Sequence, residues 1–204
     1  MRTISLKDNK HEITPSKVIC IGRNYVDHIK ELDNEIPKNM VIFNKPNSSI
    51  SNKLNYFSED TRYEGEICFL IKKNKIDAIA FGLDLTKANE QNYLKQKSLP
   101  WERSKSFDGA AVLGEFIKLE DDISKIRLEL FINNTLIQKG CFEQMIYKPN
   151  EMIQEISTFM TLEDGDVIMS GTPKGVGTYK MGDEFEGKIY MDNRLICTSS
   201  WIVE

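Results

Sequence analysis

A mostly β chain with a few short helices, of the α+β class, is what this sequence predicts, and three observations carry the prediction. Short apolar runs rich in Val, Ile and Phe recur between polar breakers, pairs of turn residues separate some of them, and only one segment shows a clear helical apolar face. The runs at 18–21, 40–43, 67–71, 76–85 and 110–117 read as strands. The run 128–132 passes through Asn133-Asn134 into 135–137 as a two-residue hairpin, and Asp192-Asn193 closes a second one between 189–190 and 195–196. The clear helix spans 150–160, where Met152, Ile153, Ile156, Phe159 and Met160 share a face. A weaker helix, capped by Thr86, covers 87–97, and a short one covers 25–32. No repeat, low-complexity tract or Gly/Ser linker divides the chain, so 1–204 reads as one domain with a short N-terminal segment, 1–16.

Charge and composition exclude several function classes. With 27 Lys+Arg against 31 Asp+Glu the net charge is −4, and a pI near 5.4 argues against nucleic acid or an anionic membrane as partner. The longest apolar stretch, 67–71, is far short of the ~20 residues of a membrane span. The N-terminus has no secretory pattern, so the expected location is cytoplasmic. Four scattered cysteines without clip spacing read as buried, reduced thiols. Only His11 and His28 are present, which excludes a three-His or HExxH zinc site and leaves oxygen ligands for any metal: Mg²⁺, Mn²⁺ or Ca²⁺.

Glu64 and Glu66, at i and i+2 of a strand entry, face the same side. Alone, the pair reads as a solvated strand edge. A turn at Lys73-Asn74-Lys75 makes antiparallel partners sum to about 148, which sets Asp84 opposite Glu64 and brings three acids together as a hard-cation site. His28 and Glu31, at i and i+3, share a helix face and suit a general base with its orienting carboxylate, or an inconsequential surface pair. Lys105 lies between aromatics, where a surface lysine is the ordinary reading. The 171–177 loop, Gly-Thr-Pro-Lys-Gly-Val-Gly, resembles an anion-cradling turn but not a Walker A motif.

In order, these segments resemble the fumarylacetoacetate hydrolase (FAH) family, in its small acylpyruvase-like branch. The resemblance is carried by Gly22-Arg23-Asn24-Tyr25 with His28 and Glu31, Phe43-x-Lys45-Pro46, Tyr63-Glu64-Gly65-Glu66, Leu83-Asp84-Leu85-Thr86, Gln91, Leu99-Pro100-Trp101 with Lys105-Ser106-Phe107-Asp108, and 162–166 running into the 171–177 loop. It implies a mixed β-sandwich roll that forms a homodimer. It implies that Glu64, Glu66 and Asp84 hold Mg²⁺ or Mn²⁺, and that His28 with Glu31 activates water on a lid helix. Gln91, Lys105 and Thr172 would contact the oxygens of a small keto acid, with Arg23 and Tyr25 shaping the pocket near the lid. Two features depart from the family: Ala88 stands where relatives carry a carboxylate-binding arginine, and the stretch between Glu66 and Asp84 is shorter.

The expected activity is therefore hydrolysis of a carbon–carbon bond in acylpyruvate-type 2,4-diketo acids. A metal-chelated pyruvate enolate, stabilised also by Lys105, is the implied intermediate. The same site suits an oxaloacetate decarboxylase or a 2-hydroxy-dienoate isomerase or tautomerase. From another class, a non-catalytic metabolite-binding relative is the rival.

Overall fold

The structure is a computed structural model that describes residues 1–7, 12–31 and 37–204, without the side chains of 28–30. His11 and Leu32 fall outside the described residues. The largest sheet has eight strands. Across it run Val41–Pro46, Lys17–Gly22, Val167–Met169, Gly65–Lys72, Lys75–Asp84, Ala111–Leu113 and Ile50–Ser51, with Ile117–Lys118 also paired to Lys75–Asp84. Lys17–Gly22 is parallel to Val167–Met169, and Ala111–Leu113 to Ile50–Ser51; the other contacts are antiparallel, so the sheet is mixed. A four-stranded antiparallel sheet, in the order Thr135–Cys141, Ile126–Ile132, Glu184–Met191 and Arg194–Ile202, covers one of its faces. Four α-helices are described: α1 (Val26–Glu31), α2 (Ala88–Gln96), α3 (Glu102–Lys105) and α4 (Pro149–Ser157).

Side-chain alternation explains why the central strands read as continuous apolar runs. Ile67, Phe69, Ile71, Ile79, Phe81 and Leu83 meet Leu128, Leu130, Phe185 and Ile189 from the smaller sheet. Cys68, Leu70, Ala78 and Ala80 point the other way, to a second cluster with Ile4, Leu6 and Phe116. A strand buried on both faces has no polar side. The two sheets approach closely at Gly187, where a Cβ would stand 2.2 Å from the Phe81 ring.

The central hairpin sets the register of everything near its open end. Lys73 and Asn74 form the turn with φ of 50° and 54°. A turn of two residues would give partners summing to 147, but a bulge between Leu70 and Ile71 places Asp77 as an extra residue and restores 148. Gly65 then pairs with Leu83, Glu66 with Gly82, and Asp84 N–H donates to the Glu64 carbonyl at 2.9 Å.

Some sequence expectations differ from the structure in detail. The strand expected over 110–117 is two short ones, Ala111–Leu113 and Ile117–Lys118. The helix expected over 150–160 ends at Ser157, where the Thr158 hydroxyl donates to the Glu155 carbonyl at 2.7 Å; Phe159 turns out and is 59% exposed. Thr86 does not cap α2: it lies in the short strand Thr86–Lys87, and Lys87 is the N-cap. The one-turn helix α3 has no periodic signal at four residues.

The Gly187–Phe81 contact predicts that Gly187→Ala destabilises by about 1–3 kcal/mol through overpacking. The urea midpoint should fall with an unchanged m-value; an unmoved midpoint would mean that the sheets are not in contact there.

Candidate metal centre

The hairpin's open end brings three acids together. Glu64, Glu66 and Asp84 lie on the even-numbered face, past the point where Cys68 and Ala80 are covered, and Gly82, paired with Glu66, makes way for the Cys68 and Leu113 side chains. One carboxylate oxygen from each lies within 4.8 Å of the others. Glu66 and Asp84 are buried, and the Glu64 side chain is 15% exposed.

Two buried lysines partly neutralise them. Lys105, at the end of α3, places its Nζ 2.9 Å from Glu64 Oε2 and 2.8 Å from Asp84 Oδ2. Burial alone would lower its pKa; the Asp84 and Glu64 carboxylates outweigh that and hold the ammonium charged, above the ordinary lysine value. Lys45 Nζ stands 2.8 Å from Asp84 Oδ1 but donates to the carbonyls of Leu85, at 3.3 Å, and Lys105. Asp84 Oδ1 therefore has a cation beside it and no well-directed donor.

Glu66 Oε2 accepts the Gly171 N–H at 2.7 Å. Gly171 has φ of 89°, and a Cβ there would come within 2.8 Å of the Ile21 carbonyl oxygen and Asn24 Cβ, so close backbone approach requires glycine. Burial first, then the Asp84 and Glu64 carboxylates, push the Glu66 carboxyl well above the usual range. The donor set fits a hard divalent cation: converging carboxylate oxygens, an Asp84 Oδ1 that accepts no hydrogen bond, and mutual repulsion that a cation would relieve. Mg²⁺ or Mn²⁺ matches these ligands.

The acids open into a cavity of about 40 Å³, walled also by Arg23, Phe43, Gln91, Lys95, Trp101 and Thr172. That volume holds only a few waters. Wider clefts of about 450 and 670 Å³ flank Ile50–Ser51, but the one metal-ligating cluster among the described residues is at the small cavity.

The structure distributes the predicted site residues unevenly. Glu64, Glu66, Asp84, Lys105, Gln91, Arg23 and Thr172 all border the cavity. The Thr172 hydroxyl donates to the Gly65 carbonyl at 2.9 Å and accepts from Gln138 at 2.8 Å, so it braces the strand that carries the glutamates. Tyr25 does not border this cavity: it lines a separate one of about 110 Å³ with Val26 and Asp27 of α1, its ring buried against Gly140 and its hydroxyl without a hydrogen-bond partner among the described residues. Glu31 is exposed and accepts the Gly175 N–H at 3.0 and 3.1 Å, tying α1 to the 171–177 loop. The His28 side chain lies outside the described side chains. Ala88 is buried at the start of α2, its N–H bonded to the Asp60 carbonyl.

Three residues at the site are not among the predicted site residues. Lys45 stands in a strand, where a lone lysine reads as solvent-facing. Thr86 donates its hydroxyl to Glu64 Oε1 at 2.6 Å. Lys95 could have been found by its i+4 spacing from Gln91.

Residues 17–197 match the family model described as fumarylacetoacetate (FAA) hydrolase C-terminal. The chain belongs to the fumarylacetoacetate hydrolase family. It is 36% identical over 193 residues to the mitochondrial oxaloacetate decarboxylase of Dictyostelium discoideum, covering 85% of this chain and 88% of that one. It is 34% identical over 227 residues to the mitochondrial oxaloacetate tautomerase of Saccharomyces cerevisiae, covering 87% and 88%. A solved structure from Oleispira antarctica, assigned as a fumarylacetoacetate isomerase/hydrolase, superposes over 100% of both chains with a TM-score of 0.93 at 34% identity. The family's mixed β-sandwich is thus the fold observed, and the triad has the ligand set of a divalent-metal site in an FAH-family chain.

The raised Glu66 pKa has a stability consequence. Folded Glu66 keeps a proton that the unfolded chain releases near pH ~4.3, so its contribution is full below that pH and is lost as pH rises toward the folded value. In EDTA, the stability of the natural chain relative to Glu66→Gln should fall between pH 5 and pH 8. Mn²⁺ should reverse that fall in the natural chain. Parallel pH profiles for the two chains in EDTA would show that Glu66 is not the strained acid.

Proposed function

We propose that the chain is a divalent-metal-dependent enzyme that interconverts the keto and enol forms of oxaloacetate through an enolate. The observation that carries this reading is the convergence of Glu64, Glu66 and Asp84 with the charged Lys105 in one cavity. Relatives named for oxaloacetate chemistry, at 34–36% identity over most of both chains, support it over the acylpyruvate hydrolysis expected from sequence.

Glu64, Glu66 and Asp84 would hold the cation, whose bound form supplies Lewis acidity for a 2-keto acid's carboxylate and keto oxygens. The chain's own residues do the rest. Lys105 spends two of its three N–H donors on Glu64 and Asp84, and its fixed positive charge faces the cavity. Removing a proton from C3 moves electrons into a C2–C3 double bond and negative charge onto the C2 oxygen, where a preorganised ammonium is most effective. In this reading His28, the general base that the family resemblance implies, carries the proton between C3 and the enol oxygen, and Gln91 supplies an amide contact to the substrate. The Asp84 and Glu64 carboxylates hold Lys105 charged, so it stabilises charge and does not serve as the base.

Loss of CO₂ from C4 would give the same kind of enolate, and the name of the Dictyostelium relative favours keeping decarboxylation as the second reading. Purified enzyme with Mg²⁺ or Mn²⁺ should accelerate the decay of enol-oxaloacetate absorbance, and EDTA should abolish the effect. Lys105→Met, with Mn²⁺ still bound, should lower kcat by about 10²–10³-fold, the scale for one preorganised donor. Pyruvate released in step with the absorbance change would select decarboxylation. Acetylpyruvate cleaved faster than oxaloacetate reacts would overturn the proposal in favour of hydrolysis.

A further inference from the structure

The cavity holds a cation that the metal site does not use. Gln91 and Lys95, one turn apart on α2, both border it. Lys45 and Lys105 are committed to the triad. Lys95 makes no ion pair among the described residues; its ammonium lies 5.3 Å from the centre of the Trp101 ring, itself a cavity wall. A cation–π contact orients the side chain and leaves its charge uncancelled. Burial first, then the Arg23 and Lys105 cations, lower the Lys95 pKa, while Glu64 opposes them. An anion entering the cavity would offset both penalties with an opposite charge.

We propose that Lys95 is the specificity-determining residue that receives the second carboxylate of a dicarboxylic keto acid. This rests on the reading of the site as one for 2-keto acids. The keto-acid end belongs at the triad and Lys105, so a second negative group is what the uncommitted cation selects. Monocarboxylic keto acids lack that group, and Lys95 does nothing for them. Ala88, buried at the other end of α2, supplies no competing charge.

Malate and lactate are unreactive 2-hydroxy acids that differ by the distal carboxylate, and so isolate the contact. Calorimetric titration of the Mn²⁺-loaded chain should show malate bound more tightly than lactate. Lys95→Met should weaken malate about tenfold or more relative to lactate, the scale of a lost hydrogen bond to a charged group. Lys95→Arg should restore most of the ratio, which a merely structural lysine would not require. An unchanged malate-to-lactate ratio in Lys95→Met, with oxaloacetate turnover intact in the natural chain, would overturn the role of Lys95 alone. Failure of the natural chain to bind either acid or to turn over oxaloacetate would overturn the keto-acid reading and this proposal with it.

Discussion

Three carboxylates and two ammonium groups share a buried space at the open end of the central hairpin, and the carboxylates outnumber the cations by one. Such a cluster is expensive to remove from water, and replacing it with apolar side chains of similar volume is often neutral or stabilising. Its presence is therefore not explained by stability. What it does impose is geometry: Lys105 must reach two acids at once, Lys45 must satisfy a carboxylate and two carbonyls, and Gly171 must bring its N–H to Glu66. A divalent cation would displace the proton that burial and its neighbours hold on Glu66 and let all three carboxylates ionise together.

The rest of the fold can be understood as support for that placement. The bulge at Leu70 sets the register that puts Asp84 beside Glu64. Gln138, on the smaller sheet, binds Gly65 N–H and the Thr172 hydroxyl, so the two sheets and the 171–177 loop are fastened at the strand carrying the glutamates. The same loop accepts α1 through Glu31 and Gly175. Metal site and candidate lid thus share one loop. The cavity admits only a few waters in this arrangement, so a larger ligand requires a wall to move, such as α2 with its Gln91 and Lys95.

Much of this was legible in the residues, for identifiable reasons. Alternation and turn chemistry located the central hairpin, and the 148 register followed from a turn placed one residue too long, because the bulge compensates for it. The family motifs marked the triad and Lys105. What escaped the sequence depends on tertiary packing. Lys45 is buried only because the strand it occupies faces α3 and Asp84. Thr86 resembles a helix cap until the backbone shows it in a strand bonded to Glu64. Tyr25 lies within a motif of pocket residues, yet its ring turns into the core, since Gly140 leaves space for it there.

The central claim, that Glu64, Glu66 and Asp84 bind a divalent cation to which a keto acid gains access, is tested most directly by electron paramagnetic resonance of Mn²⁺. The account predicts one tightly bound Mn²⁺ per chain, loss of that binding in Asp84→Asn, and line broadening when ¹⁷O-labelled pyruvate is added. Mn²⁺ retained by Asp84→Asn with unchanged affinity, or a spectrum indifferent to labelled pyruvate, would contradict it.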